Sequence, residues 1–581
     1  WKVEDLGLEA YASEPPSRLG AKKQLKHRYS DFCVREVSCE GETAVLRDVG
    51  SVPPPPPVVH RERRAAELQK EDGEDGEGVD EAEQLERLTE LVGAECIERA
   101  RGAAAGPSSA PVTFPPLSKR EDRRLVHEWV RAHLPASVST KTNGDVIELH
   151  LAADPRRAPE TRSGSRASSR AADDGPVLRM VMRKENRETS DALAYLAREL
   201  RIPARALGFA GTKDKRSISY QYVTASGPHV TRALARFDGI NDRLKGVAVG
   251  SFAWVDSALT LGDLAGNRFE LLLRELEGEG RGVAEAVRAL EESGYVAYFG
   301  RQRFGTKRDR GTHVVGARVL RGDWSGAAQL ILSPRAEAAA AEEEPAAATA
   351  ARAAYARDPS QPSRAAELMP RFLVAERSIL EGLAKHGPNN FAFAFRCVPK
   401  PLRMLYVHAF QAFAFNKAAT HRLERYGVRA GAVAGDLVYA DGGAEARGQV
   451  HVVTEAEARA GTFAIDDVLL PLPGTKTILP RHETAHIYET LLAAEDINFR
   501  ALRPSVRAMA SWIEGTYRRL LARPRGGVDW SLVRYSSEDP DRDLFERRDT
   551  GEGDLLALRL EFMLGPGEYA TMLVRELGFD S

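Results

Sequence analysis

Gly208-Phe209-Ala210-Gly211-Thr212-Lys213-Asp214-Lys215-Arg216, closed by Gln221, sets one carboxylate among three cations directly after a glycine-punctuated turn. Glycine lets a backbone turn tightly and approach a ligand, while Lys213, Lys215 and Arg216 supply the positive field that an anionic polymer seeks. Asp214 is therefore a candidate for chemistry on nucleic acid. The plain alternative, a solvated turn with a surface ion pair, stays open on spacing alone. A phosphate-binding P-loop does not fit. It needs four residues between its glycines and Ser or Thr after the lysine, whereas two residues separate Gly208 from Gly211 and Asp214 follows Lys213.

Around this run, strands alternate with helices. Asp31 to Val37 reads as a strand with Phe32 and Val34 on one face and Cys33 and Val37 on the other. Val177 to Lys184 reads as a second strand, and Thr189-Ser190-Asp191 as the cap of a helix that sets Leu193, Leu196, Ala197 and Leu200 on one face. Ile218 to Thr224 and Asn267 to Arg274 read as further strands, with a helix over Val283 to Leu290. Asp214 thus falls on the entry to a strand, where a rigid scaffold can hold a reactive side chain. Antiparallel strands backed by helices imply an α+β fold.

Two other clusters stand out. Tyr295 to Gly305 interleaves aromatics with Arg301 and Arg303, which suits base stacking with phosphate contact and equally a core strand ending in a tight turn. Ala557 to Leu564 reads as a strand, and after Gly565-Pro566-Gly567 the stretch Tyr569 to Leu577 reads as a helix. Its first residues, Tyr569-Ala570-Thr571, could line a site, with capping and packing the simpler reading.

The length of 581 residues suggests about four domains, and biased segments reduce that to two or three folded units. With 82 basic and 84 acidic residues the chain is near neutral, so any nucleic-acid surface must be local. Cys33, Cys39, Cys96 and Cys397 form no metal-ligand spacing, so they are expected to be reduced and intracellular. No apolar run approaches the roughly 18 residues of a membrane span. The Pro-rich and acidic stretch from 51 to 117 is too polar to stay ordered throughout, a helix at Ala82 to Arg99 excepted. Within Lys119 to Ala152, Arg123 to Leu134 reads as a helix and Val146 to Leu151 as a strand, before an Arg/Ser-rich spacer.

In its ordered series of motifs the chain resembles the TruD family of pseudouridine synthases, in detail its eukaryotic, pseudouridylate synthase seven type. The series runs from Leu25-Lys26 and Tyr29-Ser30-Asp31-Phe32 through Gly211 to Arg216, Gly266-Asn267-x-Phe269 and Tyr298-Phe299-Gly300-x-Gln302-Arg303-Phe304-Gly305. It continues through Tyr406-Val407-His408, Phe415-Asn416, Gly435 to Val438, Leu470 to Gly474, Leu560-Glu561-Phe562 and Tyr569 to Met572. Departures are small: Ser217 and Ser219 stand where the family usually has Ala and Thr, and Ala297 where it commonly has Asn.

The resemblance implies an α+β molecule, a catalytic domain with a mixed or antiparallel sheet plus an inserted α/β domain, V-shaped with an RNA cleft between them. The expected parts are 18–50, 176–305 and 500–581 for the catalytic domain and 306–499 for the inserted one, with a disordered loop at about 335–355. The rest would be a disordered insert at 51–117, a small eukaryote-type insert at 118–154 and a linker at 155–175. A helix from Leu405 to Tyr426 should end at Gly427, with Phe410, Phe413 and Phe415 in the core.

The implied activity is isomerisation of uridine to pseudouridine, without metal or organic cofactor. The expected substrate is tRNA at a D-arm uridine of the uridine 13 type, with pre-tRNA, small nuclear and messenger RNA as further options. Asp214 would be catalytic, either as nucleophile at C1′ or as the base of a glycal-type elimination. Lys26 would orient and charge-balance it, Asn267 hold it by hydrogen bond, and Phe269 stack on the uracil. Lys213, Lys215, Arg216, Arg301 and Arg303 would contact RNA. The expected protein is a monomer of the nucleus or cytoplasm, an organelle remaining open, without a membrane partner. A non-catalytic RNA-binding protein or chaperone on the same fold is the alternative; a metal-using phosphate-ester hydrolase would need further carboxylates or histidines near Asp214.

Overall fold

The computed structural model describes residues 4–12, 19, 25–54, 176–305, 310–334, 344–440, 449–507, 512–538 and 553–579, and shorter pieces between 88 and 151. Two compact units result, Trp1–Pro55 with Gly175–Ser581, and Pro56–Asp174.

The larger unit is built on an eight-stranded sheet. Its strands are β1 (Phe32–Val37), β2 (Val177–Glu185), β3 (Leu207–Phe209), β4 (Ile218–Ala225), β5 (Val247–Val255), β6 (Gly266–Leu273), β7 (Arg525–Tyr535) and β8 (Leu555–Leu564). Their order is β7-β8-β6-β1-β4-β2-β5, with β3 added beside β4. β1 and β4 are parallel, and the other pairs of this sheet are antiparallel.

Because side chains alternate along a strand, the register decides which residues share a face. Phe562, Phe269, Val34, Ser219 and Lys184 form one row across β8, β6, β1, β4 and β2. Leu564, Asn267, Glu36, Gln221 and Met182 form the next. Two separate helical layers cover this one face. Over β2, β4 and β5 lie α1 (Thr189–Leu200) and α2 (Pro228–Phe237), whose Leu193, Leu196, Val230 and Phe237 pack with Met180, Met182 and Val249. Over β1, β6 and β8 lie α3 (Val283–Ser293) and α4 (Lys400–Tyr426), packing Leu290, Ala412 and Phe415 with Val34, Leu271 and Leu560. Between the two apolar clusters runs a polar strip, with Glu36, Lys184, Ser219 and Gln221 all buried. Burying four such groups is costly unless each is bonded, so the strip is where function is to be sought.

Several expectations need correction. Residues 335–355 are not a disordered loop throughout, since Ala346–Arg357 is a helix. Alanine has the best helix propensity, and buried Ala348, Ala351 and Tyr355 anchor one face while Arg352 pairs with Glu344 at 3.0 Å and Glu376 at 2.8 Å. The boundary at 500 is also breached: Thr516–Arg519 pairs with Leu469–Leu472 in a four-stranded sheet with Leu437–Tyr439 and Val450–Val452. α4 begins five residues earlier than expected, at Lys400, and ends at Gly427 with φ 71°. Phe410 and Phe415 are buried and Phe413 packs against the core, as expected.

The smaller unit has a three-stranded antiparallel sheet of Val112–Thr113, Val146–Leu151 and Val138–Asn143. Leu88, Val92, Ile97 and Phe114 share its core with Val126, Trp129 and Ile147. The folded part therefore reaches back across the expected 117/118 boundary. The acidic run Glu71 to Glu83 and the 155–174 spacer lie outside the described residues. Among the described residues no helix is long and apolar enough to cross a membrane.

Candidate active site

Asp214 sits on the loop between β3 and β4, and its carboxylate meets a lysine from the other end of the unit. Lys26 Nζ donates to Asp214 Oδ2 at 2.5 Å, while Oδ1 has no hydrogen-bond partner among the described residues and the side chain is 35% exposed. The backbone of Lys26 has φ 65°, a left-handed conformation disfavoured for a residue with a Cβ. Its ammonium also lies 4.0 Å from the centroid of the Phe32 ring, so a cation–π contact and an ion pair together fix its position.

Several side chains hold the backbone of the loop. Lys184 Nζ donates to the Asp214 carbonyl at 2.6 Å, and Ser217 Oγ donates to the same oxygen at 2.7 Å. The Lys213 N–H donates to Thr189 Oγ1 at 3.0 Å, Thr189 Oγ1 donates to Gln221 Oε1 at 3.2 Å, and Gln221 Nε2 donates to the Gly211 carbonyl at 3.2 Å. Thr189 is therefore not the helix cap that its sequence position suggests. It is the first residue of α1, after Glu188 as N-cap, and its hydroxyl turns inward to hold the loop. Gly208 is required by crowding, since a Cβ there would stand 2.5 Å from the Leu259 carbonyl oxygen, whereas at Gly211 it would meet only Lys213 Nζ at 3.7 Å.

Beneath the loop lies a second pair. Lys213 Nζ donates to Glu36 Oε2 at 2.5 Å with both side chains buried, and the Tyr222 N–H donates to Glu36 Oε1 at 3.3 Å. Burial holds the Glu36 carboxyl above its ordinary range, against the pull of Lys213. Burial likewise brings the Lys184 ammonium down to about 8, opposed by Asp214 and Glu188 and assisted by Lys213 and Lys26.

The other expected site residues divide. Asn267 makes no hydrogen bond to Asp214: the register sets it opposite Glu36, and its buried Oδ1 lacks a partner. Phe269 is buried, stacked on Phe562 at 5.6 Å and edge-on to Phe32 at 5.9 Å. In this arrangement it supports the ring beneath Lys26, and Phe32 is the aromatic nearer the ion pair. Lys213 is corrected from a phosphate contact to a buried partner of Glu36. Lys215, Arg216 and Arg301 are exposed and Arg303 half-buried, with Arg216 Nη2 donating to the His27 carbonyl at 2.7 Å. Of the two readings of Tyr295 to Phe304, the core reading holds for the aromatics: Tyr295, Tyr298, Phe299 and Phe304 are all buried. Beside the Asp214 loop, His27, Arg28, Tyr29, Ser30, Asn186 and Arg216 line a recess of about 350 Å³.

A partly exposed carboxylate held by Lys26, on a loop above the polar strip of a mixed sheet, fits chemistry at a sugar carbon. The family model for tRNA pseudouridine synthase D (TruD) matches residues 158–577. The chain belongs to the TruD family. It is 30% identical to the mouse pseudouridylate synthase 7 homolog over 99% of this chain and 80% of that one. It is 29% identical to the multisubstrate pseudouridine synthase 7 of Schizosaccharomyces pombe, over 98% and 89%. The crystal structure of the putative tRNA pseudouridine synthase D from Methanosarcina mazei superposes with a TM-score of 0.53 at 19% identity, covering 99% of this chain and 97% of that one. As a TruD-family pseudouridine synthase the chain is an isomerase whose substrate is RNA.

Within this TruD-family site, Lys184, Glu36 and Thr189 were missed as functional from the sequence. Two left a trace. Lys184 continues the inward phase of Leu178, Met180 and Met182, and Glu36 that of Phe32 and Val34, so each is a charge where periodicity demands an apolar residue.

Proposed function

We propose that this chain isomerises uridine in tRNA, at a D-arm uridine of the uridine 13 type, through Asp214, with pre-tRNA, small nuclear and messenger RNA as further substrates. The observation that carries the assignment of Asp214 is the 2.5 Å Lys26 contact to one carboxylate oxygen, with the other left free. The reaction breaks the C1′–N1 bond, turns the uracil and joins C5 to C1′; N1 gains a proton and C5 loses one. Whether the carboxylate attacks C1′ or removes a ribose proton, it must be ionised and aimed. Lys26 aims it by a direct hydrogen bond and balances its charge, and the Lys184, Ser217, Thr189 and Gln221 contacts fix the backbone from which it projects. The name of the fission-yeast relative, a multisubstrate synthase, supports more than one substrate. Pseudouridine mapping at single-nucleotide resolution, on cellular RNA with and without this protein, tests the substrate: loss of signal in the tRNA D arm is expected, and an unchanged D arm would refute it.

The non-catalytic alternative gains nothing from a pinned, ionisable carboxylate. A binding protein has no need for Lys184, whose burial is costly and whose bond is to the Asp214 backbone. Lys184→Met should lower kcat on the order of 100-fold, the scale of a small misplacement of a reacting group, with KM for RNA changed far less. In the wild type kcat should decline on the alkaline side with a midpoint near 8, as Lys184 loses its charge. Lys184→Met should lack that limb. A stopped-assay pH series on both proteins checks it.

A further inference from the structure

Apart from the Asp214 loop, three polar side-chain atoms are buried without a partner around one glycine. Arg518 lies over the Phe299 ring, its guanidinium carbon 4.5 Å from the centroid. Its Nε donates to the Ala297 carbonyl at 2.7 Å and its Nη1 to the Gly567 carbonyl at 3.0 Å, while Nη2 is buried and unpartnered. Thr571 Oγ1, also buried and unpartnered, is 3.1 Å from where a Cβ on Gly300 would stand, with Tyr569 Cδ1 3.3 Å from the same point. Three residues beyond Gly300, Arg303 Nε is the third such atom.

These atoms share a chemistry: all three can donate, and two belong to cations with no salt bridge among the described residues. Burial lowers the pKa of Arg518, opposed by Tyr569, Tyr295 and Glu568, and Arg303 adds the smallest of these influences, which places Arg303 in the neighbourhood of Arg518. Glu568 acts on Arg518 through space, but its Oε2 already accepts from the Gly565 N–H at 2.9 Å and the Tyr295 hydroxyl at 3.2 Å. Buried donors left unmade are costly. A ligand with several acceptor oxygens removes that penalty, and a negative charge on it suits two guanidinium groups.

The fold places this cluster at the end of a strand in the same sheet that carries the Asp214 loop. The turn leading to Thr571 leaves β8 at Leu564, which pairs with Asn267, itself opposite Glu36 of β1, and β1 adjoins β4, the strand entered from Asp214. Three strand spacings separate β4 from β8, roughly 14 Å, a span that a polynucleotide crosses in a few nucleotides.

We propose that Arg303, Arg518 and Thr571 form a seat for a backbone phosphodiester of the RNA, at a nucleotide flanking the target uridine. This rests on the RNA-modifying reading above. The probe is an unmodified tRNA transcript, with affinity measured across a salt series for wild type, Arg303→Gln and Thr571→Val. Thr571→Val keeps the shape and removes a hydroxyl that no protein group uses, so its melting temperature should not fall, while Kd should rise several-fold. Arg303→Gln should raise Kd about tenfold and flatten the dependence of log affinity on log salt by roughly 0.7. Wild-type affinity and slope in both variants would overturn the seat. So would a weaker Kd with an unchanged slope in Arg303→Gln, which would assign these donors to an uncharged base. A lower melting temperature for Thr571→Val would show that the hydroxyl is structural and likewise overturn it. Pseudouridine formation by the wild type on the same transcript is scored in parallel; its absence counts against the substrate reading, and the binding series still decides the seat.

Discussion

Asp214→Asn is expected to reduce pseudouridine formation below about 10⁻⁴ of wild type, a barrier increase of roughly 5 kcal/mol or more. The amide preserves the shape of the side chain but carries no charge, so it can neither attack C1′ nor take a ribose proton. Of the groups acting on Lys184 beside the loop, Asp214, Glu188, Lys213 and Lys26, Asp214 is the carboxylate that Lys26 holds, and Glu36 is buried beneath, paired to Lys213. Affinity for the RNA should stay within about tenfold of wild type, or about 1.4 kcal/mol, because one partly exposed carboxylate contributes little to holding a polyanion. Single-turnover assays at saturating enzyme separate the two effects. Residual turnover near a tenth of wild type would move the chemistry to another residue.

How much of this arrangement could be read from the residues depends on the range of the contact. The strands around Asp214 were legible because alternation is local, and Asp214 itself because a charge cluster beside glycines is local too. Lys26 came from family resemblance; its partner lies 188 positions away, and no periodicity could have linked them. Thr189 was misread for a related reason. A threonine at a helix start has a local use as a cap, and only the packing of α1 over β4 offers it Gln221 instead. The Ala346–Arg357 helix was misread as disorder because its composition is biased, yet small side chains are what let it pack while Arg352 finds two carboxylates. Arg303 was legible as a cation, but its relation to Arg518 and Thr571 depends on segments more than 200 positions apart in the chain.

The second large effect falls on stability and comes from the pair that no motif announced. Lys213→Met should destabilise the larger unit by about 3–5 kcal/mol, the cost of leaving a buried charge without its partner. The sign of its pH dependence follows from Glu36. Burial already raises that carboxyl above its ordinary value with Lys213 present, and removing the ammonium removes an opposing influence. A group whose folded pKa is raised favours the fold fully below its unfolded value, near 4.5, and loses that contribution as pH rises through the folded value. The variant should therefore melt closest to wild type near pH 5 and furthest below it near pH 8. The double variant Glu36→Gln with Lys213→Met leaves no buried charge, and Gln can still accept from the Tyr222 N–H, so most of the lost stability should return at pH 8. Pseudouridine formation should not return with it. The pair contributes less to net stability than an apolar filling would, and its use is to tether the side chain next to Asp214 to the central strand of the sheet. Calorimetric melting of the three proteins at the two pH values decides the matter. A double variant as unstable as Lys213→Met would show that the penalty lies in lost packing, and one with full activity would show that the tether is not needed for catalysis.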